Sequence, residues 1–203
     1  MTGFLSKLAD RFRAVRQPAP ARPSPDEVII PKAAAPAPAA PPIRPPATPS
    51  TPAGKPLPRG IRNHNPGNIR EAVGDTTAWV GERTTNDDPA FEEFQTPEDG
   101  VRALMVVLLT YYRRHRLDCV EAIISRWAPP NENETVGYVD FVCTQIGAAP
   151  RATIDLTNRM TLVALARAIV VKENGWAPSG FPPHWYPDEV YLRAADRALG
   201  REG

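Results

Sequence analysis

Arg59-Gly-Ile-Arg-Asn-His-Asn-Pro-Gly-Asn-Ile-Arg70 is the stretch on which the reading of this chain turns. Within twelve residues it holds two glycines, a proline, three asparagines, a histidine and three arginines. Asn65-Pro66-Gly67-Asn68 has turn chemistry: proline presets φ, glycine permits positive φ, and asparagine side chains bond nearby backbone. The simple reading is a tight turn entering a short strand, Asn68 to Glu71. Polar side chains gathered on a rigid turn also suit the wall of a cleft for a polar ligand. The turn alone does not decide between them.

Upstream of it no core can form. Fifteen of the 25 prolines fall between Pro18 and Pro58, in a segment otherwise rich in alanine. Such a segment gains too little burial to offset its ordering entropy, so 18–58 is expected to be a disordered, partly polyproline linker. Before it, Phe4, Leu5, Leu8, Phe12 and Val15 recur at helical spacing among Lys7, Arg11, Arg13 and Arg16. Residues 1–17 therefore read as a basic amphipathic helix, able to tether the chain to an assembly or to lie on an anionic membrane. Residues 59–203 remain for one folded domain, a common single-domain size.

The net charge of +1 hides an asymmetry. Residues 1–58 carry eight Lys/Arg against three acids, and 59–203 carry sixteen against twenty. A mildly acidic domain argues against a nucleic-acid surface there. Cys119 and Cys143 make no disulfide framework and no zinc spacing, and are expected to be buried free thiols. No apolar run reaches membrane-spanning length, and the N-terminus lacks a secretory apolar core.

Downstream of the turn, Asn68–Ala72, Ala78–Val80 and Ala90–Phe94 read as brief strands between polar turns. Helices then take over. Thr96-Pro97-Glu98-Asp99 is a start signal, with threonine as cap, proline in the first turn and acids at the positive end of the dipole. Val101–His115 follows, with Leu104, Leu108, Tyr111 and Tyr112 available for a core. Asp118 is expected to cap a helix to Arg126, stopped by Pro129-Pro130. Thr135 opens another, with Tyr138, Val139, Val142 and Ile146 on one side and Gly147 at its close. A fourth runs from Asp155–Thr157 to Glu173, with Gly175 as its stop, and Pro187–Leu199 makes the last. A small β element followed by about five helices is an α+β pattern.

Two runs bear on chemistry. In Val171-Lys172-Glu173-Asn174-Gly175-Trp176 an acid ends an apolar helix and abuts a tryptophan. A carboxyl desolvated beside an aromatic wall has a raised pKa, as a general acid near neutral pH requires; the bland alternative is an exposed glutamate at a helix end. Trp127-Ala-Pro-Pro-Asn-Glu-Asn-Glu-Thr135, with Tyr138, stops one helix and restarts another, yet also offers the aromatic face and amides that hold sugars. His64, His115 and His184 support no Ser/His/Asp arrangement, and no phosphate-cradling loop occurs.

The run Arg59–Arg70, then Trp79-Val-Gly81, Phe91-Glu-Glu-Phe94 and Gly100-Val-Arg-Ala103, resembles a family of phage and prophage virion structural proteins. The likeness continues through Trp127–Thr135 and Tyr138 to Glu173-Asn-Gly175, covering nearly all of 59–177. It implies a lysozyme-like, peptidoglycan-cleaving domain. A fainter likeness joins the turn, Trp79-Val-Gly81, Phe91/Phe94 and Tyr111-Tyr112 to bacterial β-N-acetylglucosaminidases, whose catalytic helix carries Glu-Ser-Gly-Trp. Here Glu-Asn-Gly-Trp comes last, which implies a circular permutation, and Asn174 departs from that pattern.

What the resemblance implies is a lysozyme-like α+β domain cutting the glycan strand as a muramidase, glucosaminidase or lytic transglycosylase. Glu173 would protonate the leaving oxygen. Glu92 or Glu93, with Asp88 the lesser choice, would stabilise the oxocarbenium ion or activate water. A transglycosylase needs no second acid, because the sugar's own 6-hydroxyl attacks. Asn65, Asn68, Trp127 and Tyr138 would contact substrate or support the cleft. No metal or cofactor is implied. The expected partners are bacterial peptidoglycan and, through 1–58, other virion proteins, with a membrane contact by 1–16 as a further option; the expected location is the virion. The alternative is a non-catalytic structural or glycan-binding virion protein.

Overall fold

The computed structural model describes residues 54–71, 78–129 and 134–201. The basic segment 1–17, the linker as far as residue 53, Ala72 and residues 130–133 of the Trp127–Thr135 run lie outside the described residues. Among those described there are six helices: α1 Arg59–Arg62, α2 Pro97–His115, α3 Val120–Trp127, α4 Thr135–Ile146, α5 Arg159–Asn174 and α6 Asp188–Leu199.

Two of them form the centre. Between Val101 and Leu109, α2 is buried all round except at half-exposed Arg102 and Val106. From Leu162 to Val171, α5 is buried except at Ala164 and Arg167. Helices apolar on every side must be covered on every side. For α2 the cover is α3, α5 and α6; for α5 it is α1, α2, α4 and α6. Leu57, just upstream of α1, also packs into the core.

The start signal before α2 works as its chemistry requires. The Thr96 hydroxyl oxygen accepts from the Asp99 amide at 3.2 Å, with Pro97 in the first turn and Glu98 and Asp99 beside it. Elsewhere the caps shift by a few residues. Cys119 takes the position expected of Asp118. Asp155 folds a local turn onto Thr157, and Asn158 caps α5 instead, accepting from Met160 and Thr161. Cys119 and Cys143 are free, as expected, but half-buried rather than buried.

The α+β, lysozyme-like class is corrected. The described residues contain no strand, only isolated bridges, among them the antiparallel pairs Arg70–Phe91, Glu82–Phe94 and Cys119–Thr153. The cause lies in the turn itself. His64 (φ 50°) and Asn68 (φ 49°) both take left-handed backbone, which curls the chain where a strand would have to extend. The first two bridges then each hold one reciprocal pair of bonds and go no further: Glu71 N–H donates to Ala90 and Glu92 to Ile69, and Arg83 donates to Glu93 and Gln95 to Gly81. Apolar alternation supplied the residues of a sheet without a ladder to hold them.

Gly67 also has a different task from the one expected. Its φ is not positive; instead a Cβ there would meet Leu104 Cδ1 and Trp127 Cη2, each at 3.2 Å. The glycine lets the turn press onto α2 and the Trp127 indole.

Candidate functional site

Glu173 ends α5, and three segments far from it in sequence send it hydrogen bonds. Tyr138 Oη donates to its Oε1 at 2.8 Å and Trp127 Nε1 to the same oxygen at 3.2 Å. Asn68 Nδ2 donates to Oε2 at 3.2 Å. The donors come from α4, the last residue of α3 and the turn after α1.

Each donor is positioned by its own surroundings. Trp127, 1% exposed, is wedged under Gly67. Tyr138 is carried by α4, whose first residue is tied to the end of α3 by Thr135 Oγ1 donating to the Ala128 carbonyl at 2.7 Å. Asn68 is set by the turn, where its amide donates to the Asn65 carbonyl at 2.9 Å. The turn in turn hangs on Asn65, fully buried, whose Oδ1 accepts from the Ile69 amide and whose Nδ2 donates to the Ile69 and Glu92 carbonyls. Asn174 closes the arrangement by donating to the Pro66 carbonyl at 2.8 Å and the Val170 carbonyl at 2.9 Å. Gly60 leaves the room: a Cβ there would meet Asn174 Oδ1 at 2.5 Å and Asn68 Oδ1 at 2.8 Å.

Burial raises the Glu173 carboxyl above its ordinary range, while the three donors and the Lys172 ammonium pull it down without cancelling the rise. Burial, with the Glu173 charge beside it, holds the Tyr138 hydroxyl well above the usual phenol range, so it remains a donor. Among the described residues two donors reach Oε1 and one reaches Oε2, so the less occupied oxygen is Oε2. That oxygen can hold a proton, and the ionised form left after losing it is already solvated by fixed donors.

The other candidates divide. Asn68, Trp127 and Tyr138 meet at Glu173, while Asn65 acts one step back by holding the turn. Glu93 serves the loop: its Oε2 accepts from the Asp87 amide at 3.0 Å and lies 3.7 Å from Arg83. Asp88 accepts from Asn63 Nδ2 at 2.9 Å and lies 3.5 Å from Arg59. Glu92 sits in a second acidic group. It is 4% exposed, its Oε2 has no hydrogen-bond partner, and Glu71 and Glu82 lie beside it. Burial, then the charges of Glu71 and Glu82, push it up to about 8, against a weaker pull from the Trp79 indole. The shift favours the neutral form of Glu92, whereas an oxocarbenium stabiliser or a water-activating base must be ionised.

Sequence reasoning set Trp176 beside Glu173, but the indole that donates to the acid is Trp127; Trp176 is 55% exposed. Glu71, Glu82 and Gly60 were missed, and Gly67 was read only as a turn residue. A glycine flanked by Asn-Pro signals a turn, and nothing local says that a helix from elsewhere will press on it. Among the described residues no group of three or more His, Cys, Asp or Glu is placed to hold a metal ion.

No family model matches the chain. Protein P5 of Pseudoalteromonas phage PM2 is 41% identical to it over 120 residues, covering 59% of this chain and 73% of that protein.

Proposed function

We propose, for a chain that belongs to the family of Protein P5 of Pseudoalteromonas phage PM2, a virion-associated enzyme that cleaves the glycan strand of bacterial peptidoglycan. The carrying observation is the convergence of Tyr138, Trp127 and Asn68 on one half-buried carboxyl whose pKa is raised. Glu173 gives its Oε2 proton to the glycosidic oxygen as the bond to the anomeric carbon breaks, and the three donors hold the resulting carboxylate. Glu92, held toward its neutral form by burial and by Glu71 and Glu82, is poorly suited to act as a second anion. Of the three routes, this supports the transglycosylase, in which the sugar's 6-hydroxyl oxygen attacks the anomeric carbon, its proton passes to the Glu173 carboxylate, and an anhydro product forms.

The test is digestion of purified peptidoglycan by the wild-type chain beside Glu173→Gln, with products read by mass spectrometry. Glutamine keeps the shape and an acceptor oxygen for Tyr138 and Trp127, but has no proton to give. Anhydro-muropeptides from the wild type alone are expected. Reducing-end products would make it a hydrolase, and equal release by both proteins would remove Glu173 from the chemistry.

The same hydrogen bonds also favour a second reading. They stitch the turn, α3, α4 and α5 together around a half-buried acid, which is a sufficient structural use. A non-catalytic virion protein that binds glycan would show wall binding without fragment release.

A further inference from the structure

Trp176 is the one aromatic residue among the large apolar side chains exposed in the described structure. It stands three residues after Glu173, so the two Cα atoms lie within about 11 Å of one another. The two residues before it are anchored. Asn174 is tied to the Pro66 and Val170 carbonyls, and Gly175 O accepts from Trp185 Nε1 at 2.8 Å. Trp185 delivers that N–H from a left-handed backbone (φ 73°), a conformation that bulky residues adopt only when their surroundings enforce it.

The ring itself is steadied from its sides. Phe141 meets it edge-on at 6.5 Å between centroids, and the His184 ring lies 5.9 Å away. Lys172, the residue before Glu173, places its ammonium 5.7 Å from the Phe141 ring and 5.5 Å from that of Tyr138. Aromatic side chains with Lys172 between them thus lead from the Tyr138–Glu173 hydrogen bond out to an exposed indole flanked by two rings. A rigid, amphipathic aromatic face gives contact area at little entropic loss, and flat sugar rings with their axial C–H faces are suited to it.

We propose that Trp176 is a stacking subsite for an N-acetylhexosamine ring of the glycan strand, one or two sugars from the bond at Glu173. This rests on the reading of Glu173 as the acid for that strand. Trp176 is a binding residue and does not move protons.

The experiment uses the full chain and two probes, N-acetylglucosamine oligomers and isolated peptidoglycan glycan strands. Binding is measured by calorimetry in the Glu173→Gln background with and without Trp176→Ala or Trp176→Phe. KM and kcat for glycan cleavage are measured with Glu173 present. Trp176→Ala is expected to weaken binding roughly tenfold, with Trp176→Phe between, and to raise KM more than it lowers kcat. Thermal melting checks that each variant is folded, as an exposed side chain should allow. Unchanged binding and KM in folded Trp176→Ala would overturn the subsite and leave Glu173 in place. Trp176-dependent binding without cleavage by the wild type would support the subsite and remove the catalytic reading. No binding of either probe by any form would overturn both.

Discussion

At Glu173 the opposing influences on one carboxyl can be separated by substitution. Burial raises its pKa, and the donors from Tyr138, Asn68 and Trp127 lower it. Tyr138→Phe removes the shortest of these bonds and no other atom. The ionised form then loses a stabilising donor, so the pKa of Glu173 moves further up. In a pH–rate profile, the limb on which activity falls as Glu173 ionises should shift to higher pH. Stability should drop by about 1–2 kcal/mol, as for a lost hydrogen bond to a charged group. A limb that stays in place would mean Glu173 is not the group whose proton is used. Gly67→Ala acts on the same site through space. Its new Cβ would need Leu104 or Trp127 to move by a few tenths of an ångström. A loss of about 1–3 kcal/mol, with altered tryptophan fluorescence, is expected.

Between elements, the join of α2 to α6 rests on Arg197. It donates to Glu98 Oε1 at 3.0 Å and Asp99 Oδ1 at 2.9 Å, while the more exposed Arg193 reaches Glu98 Oε2 at 2.7 Å. Asp99 is only 7% exposed, so losing its cation leaves a nearly buried charge unmatched. Arg197→Met should cost about 2 kcal/mol in urea denaturation, and Arg193→Met under about 1 kcal/mol, since its side chain lies largely in water. Equal effects would show that α6 docks by its apolar face alone.

For the molecule as a whole, Glu92 makes stability depend on pH. Folding raises its pKa from 4.5 to about 8. Between those values the folded chain holds a proton that the unfolded chain has released, so stability falls as pH rises through the window. The decline should be on the order of a few kcal/mol, with Glu173 adding to it in the same direction. Glu92→Gln should flatten most of the slope and be the more stable protein above pH 8. Urea midpoints from pH 5 to 9 for both proteins would show it, and parallel slopes would exclude Glu92 as the source.

By itself the sequence determined the helical half of this protein, because helix signals are local. Thr96-Pro97-Glu98-Asp99 before an apolar run starts a helix whatever surrounds it, and Gly147 and Gly175 end theirs on backbone conformations that side chains resist. It also marked Glu173, Asn68, Trp127 and Tyr138 as unusual residues, though not as partners, since 105 residues separate Asn68 from Glu173. Only the tertiary structure decided that the turn and its neighbours would not pair into a sheet. A strand needs several successive pairs in register, and the left-handed backbone at Asn68 leaves room for single bridges without changing the apolar pattern. The two tryptophans were likewise beyond local reading. Which indole meets the acid depends on where α3 ends against α5, so Trp127 lies buried on Glu173 and the adjacent Trp176 faces outward.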